Sequence, residues 1–297
     1  MLKAGKHKIT AITREGSSNV VPAGVIAKKV DYNNQSSLVE ALKGQEVLII
    51  TMSVMAPPEE QIKLIDAAAA AGVPWVLPNE FGGDPLNVEQ GKDAILGERK
   101  TKYRDHIEEI GKSSWIAIAT GFWYEFSLGG GPYRYGFDFP NRSLILLDNG
   151  KVKINTSTLP QVGRGVASLL SLKILPDNKD DKSAYLASFK NKPAYISSFT
   201  IGQEDMFESV LRVTGTTRDD WKITNTTAKE KFQSGQELLK QGNMVGFGML
   251  LYARAFFAES SGNFGATRGL HNDILGLPLE DLDEFTKIGI GMSSEVY

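Results

Sequence analysis

The stretch VLIITMSVMAPPEEQIKLIDAAAAAGVPWVLP, residues 47–78, predicts the fold class of this 297-residue chain. An apolar, β-branched run at Val47–Thr51 precedes a helix pattern over Pro58–Ala71, and a second apolar run follows at Trp75–Pro78. Prolines and acids suit the first turn of a helix because its N–H groups have no helical partners, and Gly72 is a typical stop. Strand, helix and strand in this order form a βαβ unit, whose two strands are parallel.

The same alternation continues on both sides of this unit. Apolar runs predict strands at His7–Ile12, Val25–Lys29 and Trp115–Ala119, with helix-period patterns between them. One of these helices is predicted around Glu98–Ile110. Repeated βαβ units build a parallel sheet, so the first half of the chain is predicted to be an α/β domain.

Composition excludes several functional classes. The 33 basic and 35 acidic residues are spread along the chain, which does not indicate a nucleic-acid-binding surface. With no cysteine and three histidines, the chain cannot supply a zinc site. No apolar run approaches the roughly 20 residues that span a bilayer, and the first residues do not predict a signal peptide. We therefore predict a cytoplasmic protein that binds a small molecule, without nucleic acid, membrane or metal.

The texture of the sequence changes after Gly121, where the stretch FWYEFSLGGGPYRYGFDFP begins. We predict a first domain at residues 1–122 and a smaller α+β lobe at 123–297, with some segments returning to the first core. Asn149-Gly150 predicts a hairpin turn within this lobe. Helices are predicted near Gln203–Val213, Thr227–Glu259 and Leu279–Ile288.

Three segments carry a family resemblance: ITREGSS at 12–18, WVLPNEFGGD at 75–84 and RKTKYRDHIEE at 99–109. Together they resemble the NmrA-like and isoflavone-reductase-like branch of the atypical short-chain dehydrogenases. The third segment is similar to that family's Lys-x-x-x-Arg-x-x-Ile-Glu pattern, and the resemblance covers roughly residues 1–125. It implies a Rossmann-like domain that binds NADP(H), followed by a substrate-binding lobe.

The beginning of the chain departs from the family pattern. Family members open with a strand and a glycine-rich turn, whose N–H groups hold the cofactor's pyrophosphate. Here Met1–Gly5 resembles the end of the helix that follows that turn. The chain is therefore either a truncated version of a longer protein, which we favour, or one that has lost this phosphate site. We expect an empty slot between the strands of Ile9 and Leu48 rather than a direct ladder between them.

Several strand ends are candidates for cofactor binding. Arg14 and Ser17 offer a guanidinium and a hydroxyl to the 2′-phosphate of NADPH, although a solvated turn arginine is the alternative. Asp31 corresponds to the family's acid near the adenine, with a plain turn aspartate as the alternative. The carboxyl ends of parallel strands meet the cofactor, which adds the other candidates. These are Thr51, Met52 and Ser53, and, by the resemblance, Pro78, Asn79 and Phe81.

Lys100 is the candidate catalytic residue, because the resemblance assigns its counterpart to the nicotinamide ribose and to proton transfer. An amine in a partly desolvated crevice can act as a general acid or base. The alternative is an ordinary surface lysine on a charged helix. Lys102 is expected to point elsewhere and to be structural. No tyrosine precedes a lysine by four residues, so the mechanism of ordinary short-chain dehydrogenases is not supported.

Gly121, Phe122, Trp123 and Tyr124 are expected to face the substrate, and their aromatic rings would suit a flat, apolar ligand. Core packing is the alternative for these residues. The resulting hypothesis is an NADPH-dependent reductase of a small aromatic or apolar metabolite, its cofactor binding impaired if the chain is truncated. The alternative is a non-catalytic, NmrA-type regulator that senses NAD(P) and signals through a protein partner.

Overall fold

The computed structural model describes residues 1–54, 56–259 and 262–293. Two sets of chain segments form separate units. Unit 1 consists of Met1–Glu80, Glu98–Ile118 and Gly163–Ala194, and unit 2 consists of Phe81–Gly97, Ala119–Val162 and the chain from Tyr195 onward. The chain thus passes between the units several times. The predicted division into domains near residue 122 stays a prediction.

Unit 1 alternates strands with helices along the sequence. Its strands are β1 (Thr10–Arg14), β2 (Ile26–Val30), β3 (Val47–Ile49) and β4 (Trp75–Leu77). Its first helices are α1 (Gln35–Leu42) and α2 (Pro58–Ala71). After the two-residue strand β5 (Phe81–Gly82) and helix α3 (Val88–Asp93), which lie in unit 2, helix α4 (Gly97–Ile110) leads into strand β6 (Ser114–Ala119).

The ladders of unit 1 are parallel, as the βαβ pattern predicts. β3 pairs with β4 in the register Leu48 to Val76, and β4 pairs with β6 in the register Val76 to Trp115. β1 pairs with β2 in a separate parallel ladder. The α/β class with parallel strands is therefore confirmed.

The two ladders of unit 1 do not join. β3 is the end strand of the order β11-β6-β4-β3, where β11 is Lys192–Tyr195, and β1 belongs to a two-stranded sheet with β2. Within residues 1–54, 56–259 and 262–293, no ladder connects β1 to β3. The strands near Ile9 and Leu48 therefore do not pair directly within these residues, and the empty slot expected between them stays a prediction.

One apolar core stabilises unit 1. It gathers fully buried side chains from α1, α2, β4 and α4, among them Leu38, Ile65, Val76 and Ile107. Helix α2 ends where glycine was expected to end it, because Gly72 adopts φ 75°, a left-handed conformation that side chains disfavour. Unlike α2, the first strand departs from its predicted bounds: β1 runs from Thr10 to Arg14 rather than over His7–Ile12.

Unit 2 contains two small sheets and most of the remaining helices. Its strands are β7 (Phe122–Trp123), β8 (Phe137–Asp138), β9 (Ser143–Leu147), β10 (Ile154–Ser157), β12 (Phe199–Ile201) and β13 (Lys222–Thr226). The strand orders are β12-β10-β7 and β13-β9-β8. The later helices of the chain are α5 (Tyr124–Leu128), α6 (Leu159–Leu169), α7 (Gln203–Thr214), α8 (Ala228–Lys240), α9 (Val245–Ala255), α10 (Phe264–Arg268) and α11 (Leu282–Ser293).

The hairpin predicted at Asn149-Gly150 is wrong. β9 pairs with β8 and β13, whereas β10 pairs with β7 and β12, so the two strands flanking the turn lie in different sheets. A two-residue hairpin turn of the Asn-Gly type needs positive φ at both central residues. Positive φ occurs instead at Asp148 (54°) and Gly150 (68°). The helix predicted near Leu279–Ile288 is also displaced, since it begins at Leu282 and Leu279 is 98% exposed.

Among the described residues, no helix is both long enough and apolar enough to cross a bilayer.

Candidate functional site

The candidate site of unit 1 centres on three charged residues. Lys100 and Arg104 lie four positions apart on α4, and residues at this spacing share one face of a helix. Glu80 lies three residues after the end of β4. The three side chains act on one another electrostatically, so the sequence segments around residues 80 and 100 meet in the fold.

Glu80 and Arg104 form a buried ion pair. Glu80 is 3% exposed and Arg104 is 6% exposed. Arg104 Nη1 donates to Glu80 Oε2, and Arg104 Nη2 donates to Thr101 Oγ1 at 3.1 Å. The guanidinium also lies over the ring of Trp115, 5.4 Å from its centre. Arg104 is therefore fixed by contacts on α4, on β6 and after β4, and it holds the Glu80 carboxylate in place.

The surroundings of Lys100 change its acidity. Burial lowers the pKa of the Lys100 ammonium below its ordinary value; Glu80 acts against this and Arg104 adds to it. Burial likewise raises the pKa of the Glu80 carboxyl, although the cations Lys100 and Arg104 both oppose the change. Lys100 is still partly exposed as a residue, so it can be reached from solvent. The arrangement makes Lys100 an amine that can exchange its proton more readily than a surface lysine.

Lys102 behaves as the sequence pattern predicts. It is exposed on the opposite side of α4 from the buried residues Tyr103, Arg104 and Ile107. Tyr103 anchors the same helix to the start of α2, because its hydroxyl donates to Pro58 O at 3.1 Å. Lys102 is thus a natural control for Lys100.

Asn79 ties the ends of two parallel strands together. Its Nδ2 donates to Met52 O at 2.8 Å, and its Oδ1 accepts from Met52 N at 3.3 Å. These two bonds hold the segment after β3 against the segment after β4, beside the position of Glu80. Of the predicted cofactor residues in these segments, Pro78 is buried, Asn79 and Met52 are half-buried, and Thr51 and Ser53 are exposed.

The predicted 2′-phosphate residues lie in the turn that follows β1. Arg14 is the last residue of β1 and is exposed. The next turn closes with Ser17 N donating to Arg14 O at 3.1 Å. Arg14 lies near Tyr32, whose pKa is raised by burial and lowered in part by Arg14. Asp31 Oδ1 accepts a 2.8 Å bond from Asn33 N in the turn after β2, and the assignment of Asp31 to the adenine end stays a prediction.

The predicted substrate residues lie in unit 2, as does Phe81, which is half-buried. Trp123 is 37% exposed, and Phe122 stacks on Tyr252 with ring centres 4.0 Å apart. Tyr124 does not match the expectation, because its side chain is completely buried in the core and its hydroxyl bonds to Thr286 Oγ1 at 2.7 Å.

Gly121 also has a backbone role that the sequence did not indicate. Its φ is +67°, and a Cβ at this position would lie 1.9 Å from Asn155 O. Only glycine fits such a conformation and such a close approach of another backbone segment. Gly121 N donates to Gly82 O at 2.9 Å in the same unit. The glycine therefore shapes the turn after β6 whether or not a ligand contacts it.

The sequence analysis missed Glu80, although this residue lies inside the segment WVLPNEFGGD at 75–84. The signal was an acid placed directly after an apolar strand, twenty residues before two cations at helical spacing. An isolated acid of this kind is usually a solvated turn residue, and only the fold reveals that it is buried against both cations.

Comparisons with known proteins agree with this architecture. A sequence profile of the NmrA-like family matches residues 1–129. The oxidoreductase aprR of Aspergillus flavus is 27% identical to the chain over 289 residues, which cover 94% of this chain and 89% of that protein.

Two solved structures extend the likeness over the full length. One belongs to a study of pinoresinol-lariciresinol and phenylcoumaran benzylic ether reductases and their relationship to isoflavone reductases; it has a TM-score of 0.74 at 18% identity and covers 96% of this chain and 91% of that chain. The other is the leucoanthocyanidin reductase of Vitis vinifera in a binary complex with NADPH. It has a TM-score of 0.69 at 14% identity, and the match covers 97% of this chain and 93% of that chain. At these identities the likeness establishes the fold, which is the Rossmann-like one that was predicted.

Proposed function

We propose that this chain, whose residues 1–129 match the profile of the NmrA-like family, is a member of that family and an NADP(H)-dependent reductase of a small aromatic or apolar metabolite. The observation that carries the proposal is Lys100, a partly exposed lysine whose amine is desolvated beside a buried carboxylate and a buried guanidinium. Amines with a lowered pKa are usable proton donors and acceptors near neutral pH. A full-length likeness to an oxidoreductase supports the same class.

The residues of unit 1 fit part of an NADP(H) site. Arg14 and Ser17 offer an exposed guanidinium and a hydroxyl at the carboxyl end of β1, which suits a 2′-phosphate. Met52 and Asn79 line the carboxyl ends of β3 and β4, where this fold class binds its ligands.

One part of the site is not found among the described residues. The turn after β1 contains a single glycine, Gly16. In residues 1–54, 56–259 and 262–293, no strand pairs with both β1 and β3, and so no strand between them leads into a glycine-rich turn.

Bound NADPH supplies the hydride for the proposed reduction. Lys100 holds a proton at Nζ and passes it to the substrate atom that gains negative charge, and Arg104 keeps the Glu80 carboxylate beside it. In unit 2, Trp123 is partly exposed, and together with Phe122 it stays a predicted contact for an aromatic ligand. Tyr124 is left out of this set because it is a core residue.

A direct test follows NADPH consumption at 340 nm with a panel of flat aromatic ketones, enones and benzylic ethers. The proposal predicts oxidation of NADPH that depends on both the protein and one class of aromatic compound. Binding of NADPH without consumption in the presence of any compound would instead favour the non-catalytic, cofactor-sensing function. Absence of both binding and consumption would refute the proposal.

A further inference from the structure

The Glu80 carboxylate is held at only one of its two oxygens. Arg104 donates to Oε2, whereas Oε1 is buried and has no hydrogen-bond partner in the described part of the chain. A buried acceptor that lacks a partner costs about 1–3 kcal/mol, and more when it carries charge. A buried, unpaired oxygen next to a candidate site indicates a hydrogen-bond donor that approaches it at some stage of function.

The charged groups around this oxygen limit what the partner can be. The groups that act on Glu80 are Lys100 and Arg104, and the groups that act on Lys100 are Glu80 and Arg104. Both cations come from α4, and Glu80 comes from the segment after β4. Arg104 already uses its guanidinium on Oε2 and on Thr101, which leaves the Lys100 ammonium as the cation available to Oε1.

The charges of the three groups indicate that Lys100 is the one whose protonation state changes. An ionised Glu80 and a permanently charged Arg104 neutralise each other. The ammonium of Lys100 is then the one uncompensated charge of the three, and burial penalises it. Glu80 is the only anion of the three, so it is the member that favours the charged form of Lys100, against the larger effect of burial.

We propose that Glu80 is a positioning residue for Lys100: with Oε2 fixed by Arg104, the charge on Oε1 draws and orients the Lys100 ammonium, and Oε1 is the acceptor to which this ammonium turns, a contact that the structure does not yet contain. This inference rests on the proposed function, in which Lys100 gives a proton to the reduced substrate. An N–H bond of the Lys100 ammonium breaks as the same proton forms a bond to the substrate atom that gains negative charge. A neutral amine then remains beside the Glu80–Arg104 pair, whose charges cancel. A proton from water then restores the ammonium.

The test measures how Lys100 and Lys102 react with acetic anhydride as a function of pH, in the protein without cofactor or substrate. Peptide mass spectrometry reads both lysines from one sample, and Lys102 is the internal standard for an exposed amine. Glu80→Gln keeps an acceptor for Arg104 but removes the charge. We expect it to lower the midpoint pH of Lys100 labelling by about one pH unit or more, because an opposite charge in contact shifts a pKa by about 1–3 units. Glu80→Asp keeps the charge and should stay near the wild-type profile.

Loss of local structure would have the opposite effect, since an exposed Lys100 would titrate like Lys102. An unchanged or raised midpoint in Glu80→Gln therefore overturns the proposal. A reciprocal measurement uses Lys100→Met, in which the midpoint of the Glu80 carboxyl titration, followed by ¹³C NMR, should rise; Lys102→Met should leave it unchanged. No change in Lys100→Met also overturns the proposal. Neither readout needs turnover, so a failure here is distinct from a failure of the reductase assay.

Discussion

Replacing Arg104 with methionine should destabilise the protein strongly, although the residue lies on a helix whose other charges are mostly exposed. The substitution leaves the Glu80 carboxylate, which is 3% exposed, without its ion-pair partner. Removing one partner of a buried pair typically costs about 3–5 kcal/mol. Because domains are stable by only about 5–15 kcal/mol, such a loss would be visible in any equilibrium unfolding experiment.

The pH dependence of this loss follows from the direction of the Glu80 pKa. Burial raises the pKa of Glu80 in the folded protein, and removal of Arg104 takes away a cation that lowers it. An acid with a raised folded pKa destabilises the fold above its unfolded pKa of about 4.3, and the penalty grows as the pH rises toward the folded value. The difference between Arg104→Met and wild type should therefore be largest near neutral pH and shrink as the pH falls through about 4.

Urea unfolding followed by tryptophan fluorescence measures the effect, with Lys102→Met as the control on the exposed side of α4. The control should stay within about 0.5 kcal/mol of wild type. Adding Glu80→Gln to Arg104→Met should recover much of the lost stability, since no buried charge then lacks a partner. If Arg104→Met lies within about 1 kcal/mol of wild type at neutral pH, or if its loss grows on acidification, the ion-pair account is refuted.

Three further predictions concern other parts of the chain. Arg14→Ala should weaken NADPH binding relative to NADH by about tenfold or more in a fluorescence titration, as a charge-assisted contact is worth about 1.5–3 kcal/mol; equal affinities in wild type would contradict the 2′-phosphate assignment. Gly121→Ala should lose at least about 2–3 kcal/mol of unfolding free energy because its Cβ would overlap Asn155 O, whereas Gly163→Ala, with open space around it, should be neutral or stabilising. Burial lowers the pKa of Lys231 to about 8, so wild type should gain stability as the pH rises from about 8 to about 10, and Lys231→Met should lack that gain.

Features set by local chemistry could be predicted from the sequence. Helix α2 spans Pro58–Ala71 as predicted, because its proline and acidic start and its left-handed Gly72 are signals within a few residues of each boundary. The parallel strands β3, β4 and β6 were predicted for a similar reason, since β-branched and apolar residues cluster where each strand lies. Likewise, helical spacing predicted that Lys102 points away from Lys100, and Lys102 is exposed on the side of α4 opposite Arg104.

Features that depend on partners distant in sequence could not be predicted. The turn around Asn149 has hairpin chemistry, yet β9 is drawn into a parallel ladder with β13, about eighty residues later. Glu80 is an ordinary polar residue until the fold places it against α4. Tyr124 belongs to an aromatic run that suits a pocket, but its ring packs in the buried core of unit 2 and its hydroxyl bonds to Thr286. In each case the deciding contact lies outside the window in which sequence patterns operate.

Steady-state NADPH oxidation and NADPH binding, each measured for Lys100→Ala and for Lys102→Ala, show whether Lys100 takes part in the reaction. If Lys100 transfers a proton in the reaction, Lys100→Ala should lower kcat by about 100-fold or more, the usual contribution of a general acid or base, while changing the NADPH dissociation constant little. Lys102→Ala should leave both quantities unchanged. Equal and mild effects from the two substitutions would indicate that Lys100 is an ordinary solvated lysine of α4, and they would contradict the reductase mechanism.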